Sequence, residues 1–319
     1  MSSTRSLPAE TAAPGRHATA WFDPERPALE RAILLAVAYA DIFDYPLTIA
    51  ELHRYLIGAA APLAAIHSAL NHGHAPYPLV SNDGYVMLRG REAIVATRRR
   101  RAQVAARLWP QALRYGQVIA GLPFVRMVAV TGALAMDNVD PGADIDFLIV
   151  TEPGRLWLCR ALVVGLVRLA ARRGDRLCPN YFLSERALAL DEQTLYTAHE
   201  LTQMVPIAGL ATYYRMRRVN AWADAFLPNA AGPPRQPSGD AATDRPACRL
   251  LESALRTPAG GWLERWEMDR KVRKFTRQRP DAAETAFCAE WCKGHFDSHG
   301  QRTLAAFAER LRAIEERTR

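Results

Sequence analysis

The sequence predicts a mixed α+β protein. Three observations lead there: helical apolar periodicity over residues 28–43 and 102–119, apolar β-rich runs at 125–130, 145–150 and 177–183 separated by helical stretches, and an Asp-Gly hairpin signal at Asp83-Gly84. The chain has 319 residues, 49% apolar and 23% charged, which excludes wholesale disorder. That length corresponds to two or three domains, with ample material for a core.

Residues 1–27, rich in Ser, Thr, Ala and Pro and lacking a hydrophobic period, read as a disordered tail. A unit over 28–100 follows. Its first helix carries Leu29, Ala32, Ile33, Ala36, Val37 and Ala40 at helical spacing and ends before Pro46. Thr48 and Glu51 form an S/T-x-x-E capping box that opens a second helix through residue 57. Pro62 introduces a third over 63–70. Two short β-rich runs then flank Asn82-Asp83-Gly84. Three short helices and a hairpin are the order of a winged helix-turn-helix, with Arg89, Arg91 and the arginines at 98–101 just beyond the wing. Two readings stay open, a nucleic-acid-binding module and a docking domain of the same shape. The absence of Arg and Lys from the third helix favours docking.

The second unit, 101–229, alternates helix (102–119), strand (125–130), Gly turn, strand (145–150), helix (156–173), strand (177–183) and two helices around 195–204 and 210–226. Residues 230–246, with several prolines and few large apolar side chains, read as a linker, and 247–319 as a wholly helical region.

Lys and Arg total 41 against 33 Asp and Glu, a net charge of +8. Only Lys271, Lys274 and Lys293 are lysines. The excess is therefore arginine, spread along the chain, which arginine-rich coding alone produces, so it is not read as a nucleic-acid footprint. Five irregularly spaced cysteines and the lack of a basic-apolar leader predict a reducing, cytoplasmic setting without structural disulfides. The longest apolar stretch, 156–171, is broken by Arg160 and Arg168, so no membrane span is expected.

Chemistry concentrates between residues 125 and 150. An apolar strand runs into Gly132, whose missing side chain lets a phosphate approach the amides that follow. Asp144-Ile145-Asp146 then heads a second apolar strand, and the period of two puts both carboxylates on one face. Two carboxylates forced together favour a hard cation such as Mg²⁺ between them, an arrangement suited to phosphoryl or nucleotidyl transfer. Asp137, Asn138 and Asp140 read as residues that shape the intervening loop.

Gly132-Ala133, ten intervening residues and Asp144-Ile145-Asp146 followed by Phe-Leu-Ile-Val resemble the signature of the DNA polymerase β-like nucleotidyltransferase superfamily. Segments around Trp157, at 178–184 and at 226–229 resemble a bacterial group of nucleotidyltransferase-domain proteins with an N-terminal winged-helix-like region. The resemblance implies Mg²⁺ (or Mn²⁺) held by Asp144 and Asp146, and nucleoside triphosphate phosphates held at Gly132 and Ala133. The monophosphate would pass to an acceptor hydroxyl on a small molecule, a protein or an RNA. The sequence departs from the family pattern twice. Ala133 stands where a serine is usual, and Asn180 lies on the strand that carries the family's third carboxylate, with Asp175 and Glu185 as nearby substitutes. These departures motivate the alternative of a catalytically degenerate domain acting as a nucleic-acid-binding or regulatory module through the winged helix.

Two further patterns stand out. Cys288, Cys292, His295 and His299 fall at i, i+4, i+7 and i+11, one face of a helix, but four ligands on one straight helix cannot close a tetrahedron, so ordinary thiols and imidazoles are preferred over zinc. The helix over 262–279 sets Trp262, Trp266, Val272 and Phe275 among basic residues, and is read as packing its tryptophans on the catalytic domain.

Overall fold

A computed structural model describes residues 28–71, 78–236, 246–278, 287–293 and 299–318. The expected tail and the 237–245 part of the expected linker lie outside these residues. The described chain is mixed α and β, with a small and a large sheet.

Helix α1 (Ala28–Asp41) is buried along nearly its whole length, which its many alanines allow by letting neighbours approach on all sides. Strand β1 (Leu47–Thr48) precedes α2 (Ile49–Arg54), whose capping box is formed: Thr48 Oγ1 accepts from the Glu51 amide at 3.2 Å, and Glu51 Oε2 accepts from the Thr48 amide at 2.9 Å. Helix α3 (Leu63–Asn71) leads to the hairpin β2 (Leu79–Asn82) and β3 (Tyr85–Leu88). Asp83 and Gly84 both have positive φ, 56° and 82°, as a tight two-residue hairpin turn requires. The small sheet has the order β1-β3-β2.

Helix α4 (Ile94–Ala120) begins earlier than the periodicity indicated and runs on through Pro110, joining the N-terminal unit to the large sheet. That sheet comprises β4 (Val125–Val130), β5 (Ile145–Thr151), β6 (Leu177–Ser184), β7 (Val205–Ala208) and β8 (Trp291–Lys293), in the order β7-β4-β5-β6-β8. Strands β4 and β5 are antiparallel and linked through the short α5 (Gly132–Ala135). Strands β5 and β6 are parallel, so a crossover is obligatory, and α6 (Leu156–Ala171) supplies it.

The sheet is covered on both faces. Val128, Val130, Phe147 and Ile149 pack with α4 and α6, while Met127, Ala129, Leu148 and Val150 share the other core with α1, α7 (Leu195–Gln203), α8 (Leu210–Val219) and α12 (His299–Thr318). Helix α9 (Ala223–Phe226) closes the central segment, and α10 (Pro246–Leu255) and α11 (Pro258–Gln278) follow. The alternation along β5 turns Asp146 toward the face covered by α1 and α7.

Three expectations are corrected. Residues 247–319 are not wholly helical, because Trp291–Lys293 pairs antiparallel with β6 and covers its otherwise open edge. Residues 205–208, left between two expected helices, form the opposite edge strand, the kind of position where a proline such as Pro206 is tolerated because only one side of the strand is hydrogen-bonded. Trp262 and Trp266 do not pack inward; they are 60% and 47% exposed, and α11 docks through Leu263, Met268 and Val272 instead. Its Glu264 reaches the start of α6, accepting from the amides of Trp157 (2.8 Å) and Leu158 (2.7 Å), where a helix leaves its first donors unpaired.

Candidate active site

The turn after β4 and the head of β5 are built against each other. Gly132 has φ +63°, and a Cβ placed there would lie 2.6 Å from Asp146 Oδ2. Only glycine fits this backbone with the carboxylate in place. The amides of Gly132 and Ala133 open α5 and have no acceptor within it, so they are available to an anion. The Thr131 amide donates to the Asp146 carbonyl at 3.1 Å, tying the turn to the strand.

Asp146 is half-buried, whereas Asp144, just before β5, is exposed. Asn180 on β6 donates from Nδ2 to Asp146 Oδ1 at 3.0 Å, and the Cys178 thiol is a second partner of that carboxylate. Burial pushes the Asp146 carboxyl up to about 6, with Asp144 adding like-charge repulsion and the bond from Cys178 opposing both. Burial, together with the proximity of Asp146, holds the Cys178 thiol near 12, so it stays a neutral donor.

A cavity of about 300 Å³ opens at this point, and Gly132, Ala133, Asp146 and Asn180 lie in its wall. Helix α7 contributes Tyr196, His199, Glu200 and Gln203, spaced i, i+3, i+4 and i+7 on one face. Helix α1 and the segment after it contribute Tyr39, Phe43 and Tyr45, and α12 contributes His299 and Thr303. Burial and the nearby Asp146 charge push the Glu200 carboxyl up to about 7. His199 stacks on Tyr39 with ring centroids 4.1 Å apart, and burial drives its pKa down to about 3, so it is neutral at physiological pH.

Of the residues singled out in the sequence, Gly132, Ala133, Asp146 and Asn180 thus meet in one cavity wall, while Asp144 is exposed outside it and acts on Asp146 through its charge. Asp175 and Glu185 are engaged elsewhere. Asp175 accepts from the Tyr115 hydroxyl at 2.5 Å, and Glu185 pairs with Arg215. Glu200 is the carboxyl group that sequence reading passed over. Its signal was the polar stripe Tyr196, His199, Glu200, Gln203 set beside the apolar positions Leu195, Ala198 and Leu201 of the same helix.

The loop from Met136 to Asp140 is pinned by arginines from α4. Arg98 is buried, donating to the Met136 carbonyl at 2.8 Å and to Glu51 Oε1 at 2.8 Å, with its guanidinium 3.9 Å over the Tyr45 ring. Arg101 grips Asp140 through both nitrogens at 3.0 and 2.9 Å, which lowers the Asp140 carboxyl below its ordinary value. Trp109 Nε1 donates to Asp137 at 2.7 Å, and Arg235 pairs with the same carboxylate.

Asp146 on the cavity wall, with the charge of Asp144 close by, is a donor set that Mg²⁺ could use, since that ion takes one or two protein carboxylates and fills its remaining positions with water and phosphate oxygens. Among the described residues no group of three or more His, Cys, Asp and Glu side chains is gathered to hold a metal. In the C-terminal cysteine cluster Cys292 is buried on β8, Cys288 is exposed, and His295 lies outside the described residues, so the one-helix geometry does not apply. All five cysteines are free thiols, and no described helix is long and apolar enough to cross a membrane. No protein-family model matches this sequence, and no curated protein or solved structure is significantly similar to it.

Proposed function

We propose that the protein is a divalent-metal-dependent nucleotidyltransferase of the polymerase β-like kind, moving a nucleoside monophosphate from a triphosphate to an acceptor hydroxyl. The observation that carries this reading is the close fit of Gly132 against the Asp146 carboxylate, which sets the first amides of α5, without acceptors inside that short helix, beside a carboxylate at a strand head. The antiparallel β4–β5 pair and the parallel β5–β6 crossover support it by bringing Asn180 alongside.

In this mechanism the amides of Gly132 and Ala133 bind phosphate oxygens, Asp144 and Asp146 hold Mg²⁺, and Asn180 and Cys178 fix the Asp146 carboxylate. When bound, the metal supplies charge neutralisation at the phosphates. The acceptor hydroxyl gives up its proton to water, and Glu200 lines the space that the acceptor enters. The acceptor oxygen forms a bond to the α-phosphorus as the bond to the bridging oxygen breaks, and pyrophosphate leaves.

The element order of residues 28–91 and the sheet order β1-β3-β2 support a winged-helix-like arrangement for the N-terminal unit. Four of the six arginines at and beyond the hairpin serve the protein's own fold: Arg91 pairs with Asp41 and Asp44, Arg98 with Glu51, Arg99 with Asp83 and Arg101 with Asp140. We therefore assign this unit to building the cavity wall in preference to nucleic-acid binding.

The test is binding of ATP, GTP, CTP and UTP with and without Mg²⁺, for the wild type and the Asp144→Ala, Asp146→Ala double variant. Metal-dependent binding of at least one triphosphate that the double variant loses is the expected result. Absence of metal-dependent binding, or a double variant that behaves as wild type, overturns the reading.

A further inference from the structure

The cavity beside Asp146 has a composition that phosphate binding alone does not explain. Among the described residues in its wall there is no Lys or Arg, while Asp146 and Glu200 both face it. The remainder is largely aromatic: Tyr39, Phe43, Tyr45, Tyr55 and Tyr196, with His199 held neutral against Tyr39. A polyanion pushed into this space would meet two carboxyl groups, with the exposed His299 imidazole on α12 and the neutral His199 as the only basic groups among the described lining residues, so repulsion prevails. The phosphates therefore belong at the Gly132 turn on the cavity's edge, and its interior belongs to a different group.

We propose that this interior receives an acceptor that carries an ammonium group on an apolar or aromatic body, with Glu200 as its counter-charge and the tyrosine rings as its walls. An ammonium against a carboxylate makes charge-assisted hydrogen bonds, and the faces of aromatic rings attract cations at desolvated sites. The volume of about 300 Å³ suits a small molecule, not a polymer. Two carboxyl groups otherwise brought together in a poorly hydrated space also gain from a cation placed between them. Every wall of the cavity comes from a different part of the chain, with α1, α7 and α12 enclosing it. Such enclosure suits a discrete ligand that is surrounded on binding.

The proposal rests on the nucleotidyltransferase reading only for the fate of the ligand, because the charge complementarity is independent of any triphosphate. Titration calorimetry on the full chain, without nucleotide or metal, compares 4-phenylbutylammonium with the neutral 4-phenylbutan-1-ol. The ammonium compound is expected to bind at least about tenfold more tightly, the equivalent of one charge-assisted bond. Glu200→Gln should remove most of that preference, and Gln203→Lys, which places a cation in the same wall, should do likewise through repulsion. Equal affinity of the two compounds, failure of the ammonium compound to bind, or a preference untouched in a folded Glu200→Gln or Gln203→Lys protein would overturn the proposal. Ammonium selectivity without metal-dependent triphosphate binding would leave it standing and remove the transferase reading; the converse result would do the reverse.

Discussion

At the scale of single residues, Gly132 is the position with the least freedom. Alanine there adds both a left-handed backbone penalty and a Cβ 2.6 Å from Asp146 Oδ2. Gly132→Ala is expected to cost about 1–3 kcal/mol of stability and to displace the carboxylate. Denaturant unfolding measures the first effect, and Mg²⁺-dependent triphosphate binding, expected to fall at least about tenfold, measures the second. The titrating groups of the cavity make a separate prediction, in which their signs oppose. Glu200, raised from 4.5 to about 7, and Asp146, raised from 3.8 to about 6, keep protons in the folded state that the unfolded chain has released, so each makes stability fall as pH rises through its window. His199, lowered from 6.5 to about 3, refuses a proton that the unfolded chain accepts, so its contribution falls as pH drops below about 6.5. Glu200→Gln should therefore stabilise the protein relative to wild type at about pH 8, by up to about 2 kcal/mol, and give no such gain at about pH 4. Thermal unfolding of both proteins at the two pH values decides this. A gain of equal size at both would mean that Glu200 is not desolvated in the folded protein.

At the scale of elements, α4 acts as a strut. It begins in the N-terminal unit, ends against the large sheet, and fastens the loop from Met136 to Asp140 through Arg98 and Arg101. Arg98 is 7% exposed, and removing it takes from Glu51 its ion-pair partner and from the Met136 carbonyl a charged donor, leaving the Tyr45 hydroxyl to serve both. Arg98→Met is expected to cost about 3–5 kcal/mol in urea unfolding, whereas the double variant Arg98→Met, Glu51→Met should recover part of this because no charge is left unpaired. Additive losses would show that the two side chains do not act as a pair. Helix α7 illustrates how one helix serves two surfaces: Leu195, Ala198 and Leu201 enter the core while Tyr196, Glu200 and Gln203 face the cavity. A spacing of 3.6 residues per turn makes both possible at once.

At the scale of the whole molecule, the cavity depends on segments far apart in sequence. The last helix, α12, buries Leu311 and Ile314 in the same core as α1 and sets Thr303 in the cavity wall. Leu311→Ala is expected to cost about 2–4 kcal/mol and to raise amide exchange in α1 and α7 together, because the three helices share that core. Exchange mapped by mass spectrometry checks it; faster exchange confined to α12 would show that the helix is an appendage of the fold and not part of the cavity's frame.

Sequence alone determined the elements whose signals are local. Strand β4 was legible in the apolar run 125–130, α2 in the Thr48–Glu51 capping box, and the hairpin in Asp83-Gly84, because each is specified by residues a few positions apart. The local pattern that makes Gly132, Asp144 and Asp146 candidate site residues was legible for the same reason. Short strands β7 and β8 were not, since a run of three or four residues becomes a strand only when a neighbouring edge offers it hydrogen bonds. The arginines at 98–101 showed their charge but not their use, which the loop carbonyl of Met136 and the carboxylates of Glu51 and Asp140 decide. Glu200 was hidden for a related reason. A glutamate in a helix is ordinarily solvated, and only the packing of α1, α7 and α12 around the head of β5 half-buries it in the cavity wall and brings it within reach of the Asp146 charge. Period and turn chemistry act along the chain, whereas desolvation and the meeting of distant charges exist only once the chain has closed upon itself.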